Sequence, residues 1–562
     1  MARKAQQKQK KQKKQTEQNP FDKLNAMLYR YRGNILLVSV ILTVLFSFLL
    51  FNFNVSLMGD DGAYIKRAYR LLHHGDFPGF QGPIYPFVLS FFIWIFGLNI
   101  TFLKALSGVF ILGHLYFFYR AFQNRVPSLL FVFTIIILAT NAYLLSYSSQ
   151  TFSEALFLFI QAFLFFYLFR YIWDATFKNG SQRLVRFLVL GAIMLLLAKT
   201  RSIGYGAVVA VVLFLAVNRN WKNMGYTLGS FGVFYLLFKG IRSVFFGVSG
   251  QQFSNQLNRL LLVDPYNPSE GKEDLAGFIE RFWGNSELYL SKYIYKFLGL
   301  RPDVLQTSTV LTILTYALFV LALVYVFRKN RYLLFTGIYI AVMSGITFVI
   351  LQTRWDQGRL ILVFFPLIVP FLLSGLYYLG RSRNIALVRV GLPILLVVVL
   401  FTNVGRTFQK VSDHQDEFTH HLRGDDLYGL TPDWVNYIKM TRYVAQHVPD
   451  SVMVACRKPN IAFIKAKREF HGIFRVPSKD PDELLGNLRK NEVEFVIMAS
   501  LRKYPQKKTK YTINTVKRYL YYIQQKYPKA LQLVHKIGQD EEAFLFRVNY
   551  QAKAQNDDGS GE

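Results

Sequence analysis

The chain has little cysteine, few acidic residues and no discernible internal repeat. Cys456 is the one cysteine among 562 residues, which excludes an internal disulfide framework and any metal site built on several thiolates. Asp and Glu number 34 against 66 Lys and Arg, a formal charge of +32. A surplus of that size raises the question of nucleic acid, because clustered cations neutralise phosphates and release counterions. The placement of the charges points elsewhere. Many sit in short segments between apolar runs, as basic loops do when they are retained on the cytoplasmic side of a membrane, so no nucleic-acid partner is expected. The missing repeat bears on a polytopic transporter or lipid flippase, the main competing reading. Such a protein is expected to bury ionisable residues near the bilayer midplane on repeated halves, whereas here they gather at the ends of apolar runs. A noncatalytic scaffold is the second competitor.

What is abundant is apolar surface. Hydrophobic residues make up 52% of the chain and aromatic residues 17%, and the mean hydropathy of +0.23 is high for a soluble protein of this length. The lipid bilayer is the expected solvent. A helix crossing it needs about 20 residues and satisfies its own backbone. About eleven such runs emerge, starting near Asn34, Thr101, Val126, Glu154, Arg186, Ser202, Gly225, Ser308, Tyr332, Leu360 and Val390. The fold class expected is mainly α, a polytopic membrane protein with a small C-terminal α/β domain.

Residues 1–33 are rich in Lys and Gln and contain no apolar stretch, so a disordered cytoplasmic tail is expected there. Residues 551–562 read the same way. With the N-terminus inside, the inner loops carry Arg120 and Arg125, then Lys178, Arg183 and Arg186, then Arg219 and Lys222, then Arg328, Lys329 and Arg331, then Arg381, Arg383 and Arg389. All are basic, as the threading requires. The membrane domain covers residues 34–404, with large outer segments at 54–83 and 247–307. Residues 84–98 are apolar but short and read as an outer-leaflet or re-entrant helix. An odd number of spans places the domain at 405–550 outside a cytoplasmic membrane. That domain reads as a helix from Thr431-Pro432 to about Val448, a strand at 451–456, a capped helix after Asp480, a strand at 493–498, a helix at 511–527 and a hairpin at 531–537 with 543–548. It shows no catalytic signature of its own.

Chemistry concentrates in the first outer segment, Gly59-Asp60-Asp61-Gly62-Ala63-Tyr64, followed by His73-His74 and by Gly82-Pro83-Ile84-Tyr85-Pro86. Adjacent carboxylates near a low-dielectric surface repel each other, which favours proton uptake by one and suits it to act as a general base. A solvated Asp-Asp-Gly turn is the plain alternative. Lys199 and Arg201 lie at the outer end of two short helices, and Arg354 and Arg359 fall on the same side, all four against the positive-inside trend. A lipid-linked phosphate is a natural partner for them, with structural ion pairing to Asp60, Asp61, Asp356 or Glu154 as the alternative. Glu154 opens a span and could orient substrate, bind a cation or stabilise its helix dipole. His73 and His74 are adjacent, point to different helix faces and lack spaced partners for a standard metal site.

The Gly-Asp-Asp-Gly-x-Tyr loop, the downstream Ala-x-x-Leu-Leu-x-x-Gly and the Pro-x-Tyr-Pro before an apolar helix resemble the first extracytoplasmic loop of GT-C glycosyltransferases. The nearest branch is that of the bacterial protein O-mannosyltransferase and aminoarabinose-transferase relatives. Residues 147–156, 191–204 and 359–370 carry further matches, as do Trp434, Pro449-Asp450-Ser451 and Arg457-Lys458-Pro459. In place of the Lys-Pro-Pro of the aminoarabinose branch this chain has Gln81-Gly82-Pro83. The resemblance implies inverting transfer of a sugar from a polyprenyl-phosphate donor to a glycan, lipid or protein acceptor. Asp60, or else Asp61, would take the acceptor proton. Lys199, Arg201, Arg354 and Arg359 would hold the donor phosphate, and Tyr64, Glu154 and Tyr85 would position substrate. No cofactor is assigned, and a divalent cation is left open.

Overall fold

The computed structural model describes residues 20–57, 59–79, 82–247, 258, 260–265, 270–301, 306–383, 385–503 and 512–551. Gln81 and most of the two terminal tails therefore lie outside the described residues. The chain forms two compact units, one holding Met1–Asn52 and Leu71–Gln415, the other Phe53–Arg70 and Asp416–Glu562.

In the first unit, each of the eleven apolar runs falls on a helix. Eight helices among the described residues are long and apolar enough to cross a bilayer, and Ser128–Thr140 with Ala142–Ser149 makes a ninth span bent by 50°. Ser202–Val217 is apolar but shorter, and Phe365–Arg383 completes the eleven. The bend has a local cause. Asn141 turns its side chain to cap Leu144 N and to donate to the Phe297 carbonyl, while Thr407 Oγ1 accepts from Ala142 N. Backbone groups freed by the break are thus satisfied inside the protein, as hydrocarbon demands. Small residues let helices approach closely, since lipid supplies no hydrophobic drive between them. A Cβ on Gly375 would stand 2.8 Å from Ala322 N, and one on Gly191 would stand 2.7 Å from the Ser230 carbonyl carbon. Outward faces stay apolar: Leu236, Val244 and Phe245 on Trp221–Phe246 are all exposed.

Charge networks mark the two ends of the span Ser153–Trp173. Just past one end, Asp174 binds Arg125 at 2.6 Å and Arg331 at 3.0 Å. Asn330 reaches the Arg125 carbonyl, and Arg381 pairs with Asp22. The loops that carry Arg125, Arg331 and Arg381 therefore share one end of this unit. Glu154 stands at the other end, about 30 Å away along the helix.

One expectation is corrected here. Pro20–Arg30, inside the segment taken as a disordered tail, is a helix with Asp22 in its first turn and Arg30 in its last. It is held because Asn25 accepts from Leu129 N and donates to Tyr377 Oη.

The second unit carries a five-stranded sheet in the order β2-β1-β3-β7-β6, with β1 Met453–Cys456, β2 His471–Gly472, β3 Val493–Ala499, β6 Leu531–Ile537 and β7 Ala543–Val548; β4 Leu501–Arg502 and β5 Thr512–Ile513 form a separate ribbon. β1 is parallel to β2 and β3, and the β6–β7 hairpin is antiparallel. Helix Pro432–His447 packs Trp434, Tyr437 and Val444 into the core with Val454 and Leu545. Thr431 stands at its N-cap without making a side-chain cap bond, whereas Asp480 does cap Pro481–Lys490 through Asp482 N. The unit's boundary also differs from the expected residue 405. Helix Ala386–Leu422 runs through that position, and the unit begins at Asp416 and takes in Phe53–Arg70.

Candidate functional site

In the membrane unit, Glu154 lies in the first turn of Ser153–Tyr167 with its side chain 3% exposed. Its Oε1 is 2.6 Å from Arg201 and 4.0 Å from Arg359. Arg201 follows helix Gly180–Thr200 in extended conformation, which swings its side chain across to Glu154 and to Ser153 Oγ at 3.4 Å. Arg359 opens the short helix Arg359–Leu362, donates to Gln357 Oε1 at 2.8 Å and lies over the Phe152 ring. Two guanidinium groups brought from separate helices are thus oriented by one buried carboxylate, each remaining partly exposed at 18% and 23%.

Lys199, in the last turn of helix Gly180–Thr200, has different surroundings. Its Nζ donates to Tyr205 Oη at 2.6 Å and stands 5.0–5.3 Å from the rings of Tyr205, Tyr235 and Phe238. No carboxylate pairs with it among the described residues. The return limb of the acidic segment reaches this turn: Gly82 has φ +104, and a Cβ there would fall 2.5 Å from the Thr200 carbonyl oxygen. Tyr85, fully buried, points its hydroxyl at Ser107.

Arg354 is engaged elsewhere, by Asp264 at 2.5 Å. Asp356, in left-handed conformation at φ 38, binds Lys292 at 2.7 Å and Tyr293 Oη at 2.7 Å. Burial pushes its carboxyl up, but Lys292 and Tyr293 outweigh that and hold it below the ordinary value.

In the second unit, Asp60 begins helix Asp60–His74. Asp61 is fully buried and folds the turn back on itself, Oδ2 accepting from Ser56 N at 2.7 Å and Oδ1 from Gly62 N at 3.0 Å. Asp60 keeps partial exposure, and Tyr64 is buried. Lys458 donates from Nζ to the Leu57 carbonyl at 2.9 Å. Burial and neighbouring Arg457 lower that ammonium to about 8, and the Asp60 charge opposes the shift. Among the described residues no three His, Cys, Asp or Glu side chains are grouped to hold a metal ion.

No protein-family model matches the chain, and no curated protein matches it by sequence. Solved structures do. The chain is similar to ArnT from Cupriavidus metallidurans in the apo state, at 14% identity and TM-score 0.52, over 92% of this chain and 98% of that one. It is also similar to the Archaeoglobus fulgidus oligosaccharyltransferase in the apo form, at 11% identity and TM-score 0.50, over 84% of this chain and 69% of that one. Both belong to the GT-C superfamily. This chain has the GT-C fold.

On that GT-C scaffold the residues singled out from sequence sort into groups. Glu154, Arg201 and Arg359 come together, Lys199, close to Arg201 in the chain, lies in an aromatic cage, and Arg354 has its own carboxylate. Asp60, Asp61 and Tyr64 belong to the unit that holds Phe53–Arg70 and the C-terminal domain. Lys458, which grips the turn before Asp60, escaped the sequence reading, where only the run Arg457-Lys458-Pro459 marked it.

Proposed function

We propose that the protein is a membrane glycosyltransferase that moves a sugar from a polyprenyl-phosphate-linked donor to an acceptor hydroxyl at the extracytoplasmic face of the cytoplasmic membrane. The observation that carries this is the pair of guanidinium groups, Arg201 and Arg359, oriented by one buried carboxylate, Glu154, in a chain of GT-C fold. A guanidinium has more N–H donors than Glu154 and Ser153 use on Arg201, and such forks match phosphate oxygens.

Asp60 accepts the proton of the acceptor hydroxyl as that oxygen bonds to the anomeric carbon from the face opposite the donor phosphate. The bond from the anomeric carbon to the phosphate oxygen breaks, and the configuration inverts. The departing lipid phosphate carries away the electron pair, and Arg201, Arg359 and Lys199 stabilise its charge. Asp60 is preferred to Asp61 as the base, because Asp61 spends both oxygens on backbone N–H groups and is sealed from solvent. Glu154 acts through the cations it orients. Arg354, bound to Asp264, is assigned no direct phosphate contact.

Mass analysis of envelope glycans, glycolipids and glycoproteins from cells with and without the protein tests this reading and names donor and acceptor. One sugar is expected to be missing without it and to stay missing when Asp60→Asn replaces the wild type at equal folded amount. Full transfer by Asp60→Asn and by the double Asn variant would overturn the assignment.

A further inference from the structure

The C-terminal unit supplies the mounting of the acidic turn, and one side chain stands at its centre. Lys458 lies between β1 and helix Pro459–Ala466. Its backbone is pinned on both sides by one group: Tyr437 Oη donates to the Lys458 carbonyl at 3.1 Å and accepts from Lys458 N at 3.3 Å. Tyr437 is itself 1% exposed in the core. From that fixed base Nζ reaches the Leu57 carbonyl, and Leu57 packs against the same core. Two residues on, Asn460 donates to the Gly59 carbonyl at 3.4 Å, and a Cβ on Gly62 would stand only 3.1 Å from the Asn460 carbonyl oxygen. Farther along the helix, Lys66 pairs with Glu469 and Tyr69 packs edge-on against Phe463.

The carbonyls held by Lys458 and Asn460 belong to the residues leading into Asp60, and Gly59 has φ +88. A turn with that much glycine freedom does not fix a carboxylate by itself. We propose that Lys458 is a positioning residue for the transfer reaction: by gripping the Leu57 carbonyl it sets where helix Asp60–His74 begins and so where the Asp60 carboxylate points. This rests on the reading of Asp60 as the base. The Asp60 charge favours the buried ammonium's protonated form, which agrees with a cation held close to that carboxylate. The domain that lacked a catalytic signature thereby has a part in the chemistry.

The test uses the full-length protein in phosphatidylethanolamine and phosphatidylglycerol vesicles, with total lipid extract of the deletion strain as donor source and its envelope fraction as acceptor. Transfer is read as sugar mass gained by the acceptor while the extract is titrated to saturation. Lys458→Met is expected to lower the saturated rate about a hundredfold, as misplacement of a reacting group does, with the half-saturating amount of extract unchanged. Lys458→Arg, which keeps a donor for Leu57, is expected to recover most of the rate. If Lys458→Met lowers the folded amount, Lys458→Gln, polar but one bond shorter, carries the same test. A saturated rate equal to wild type in the folded Met or Gln variant, or equal losses in Met and Arg, would overturn the positioning role while leaving the function standing. No transfer by the wild type would overturn both.

Discussion

Replacing Glu154 gives the most direct measure of how the cations are held. Its carboxylate is 3% exposed and shared by Arg201 at 2.6 Å and Arg359 at 4.0 Å. At an effective dielectric near 20, one unit-charge pair about 4 Å apart interacts by about 4 kcal/mol, and much of that offsets the cost of taking the ions out of water. Deleting one partner of a buried pair leaves that cost uncompensated, so Glu154→Ala should destabilise the membrane unit by about 3–5 kcal/mol. Glu154→Gln keeps an acceptor for Arg201 but loses the charge, and about 2 kcal/mol is expected. Thermal melting of the purified full chain, followed by helical circular dichroism, should show Glu154→Ala falling by on the order of 5–10 °C and Glu154→Gln by less. A cycle with Arg201→Ala should return a coupling of about 1–3 kcal/mol. A Glu154→Ala protein that melts with the wild type, or a cycle with no coupling, would refute the claim that this carboxylate orients the cations. Binding of undecaprenyl phosphate should weaken in the same variants, since guanidinium groups without their orienting partner lose preorganisation.

Three further outcomes follow from the geometry. Asp61→Asn should lower the folded amount of protein, by about 1–3 kcal/mol in stability, because an amide cannot accept from both Ser56 N and Gly62 N; Asp60→Asn should leave it unchanged, as immunoblots of washed membranes would show. Gly82→Ala places a Cβ 2.5 Å from the Thr200 oxygen at φ +104, so it should cost about 2–3 kcal/mol or displace the turn at Lys199, seen as a lower melting temperature. Asp426 is pushed up by burial but held below its ordinary 3.8 by Lys465 at 2.7 Å and Arg442 at 2.5 Å. Its folded-state value is depressed, so its contribution is complete above 3.8 and is lost as pH falls through the folded value. Melting temperatures of Asp426→Asn should accordingly decline less than those of wild type as pH drops from about 5 to 3.

Hydropathy and helix signals were enough to place every apolar run on a helix, because crossing hydrocarbon forces each run to satisfy its own backbone. Caps and alternation likewise located Pro481–Lys490 and the β6–β7 hairpin. Helix Pro20–Arg30 carries readable signals, with Pro at its start, Asp22 early and Arg30 late, but they adjoin a Lys/Gln-rich stretch that dominates the composition. Partner choice was harder. Arg201 and Arg359 stand out in the sequence by the side of the membrane inferred for them, and Glu154 is among the carboxylates within reach of that inference. Nothing in the local pattern announces that Arg354 pairs with Asp264, 90 residues away.

The grouping of Phe53–Arg70 with Asp416–Glu562 was illegible for a related reason: about 400 residues separate Leu57 from Lys458, and no periodicity encodes a closure of that length. Its cost is nonetheless modest, since loop-closure entropy grows only with the logarithm of the separation. What the closure gains is rigidity added to that of the local chain. Asp61 cross-braces the turn from within, Lys458 and Asn460 hold two of its carbonyls from without, and Gly62 is small enough to let Asn460 approach. A base that must meet an acceptor hydroxyl within a hydrogen-bond length needs that kind of mounting. A glycine-flanked Asp-Asp turn reads as solvated when taken alone, and as a held turn once the residues that grip it are counted.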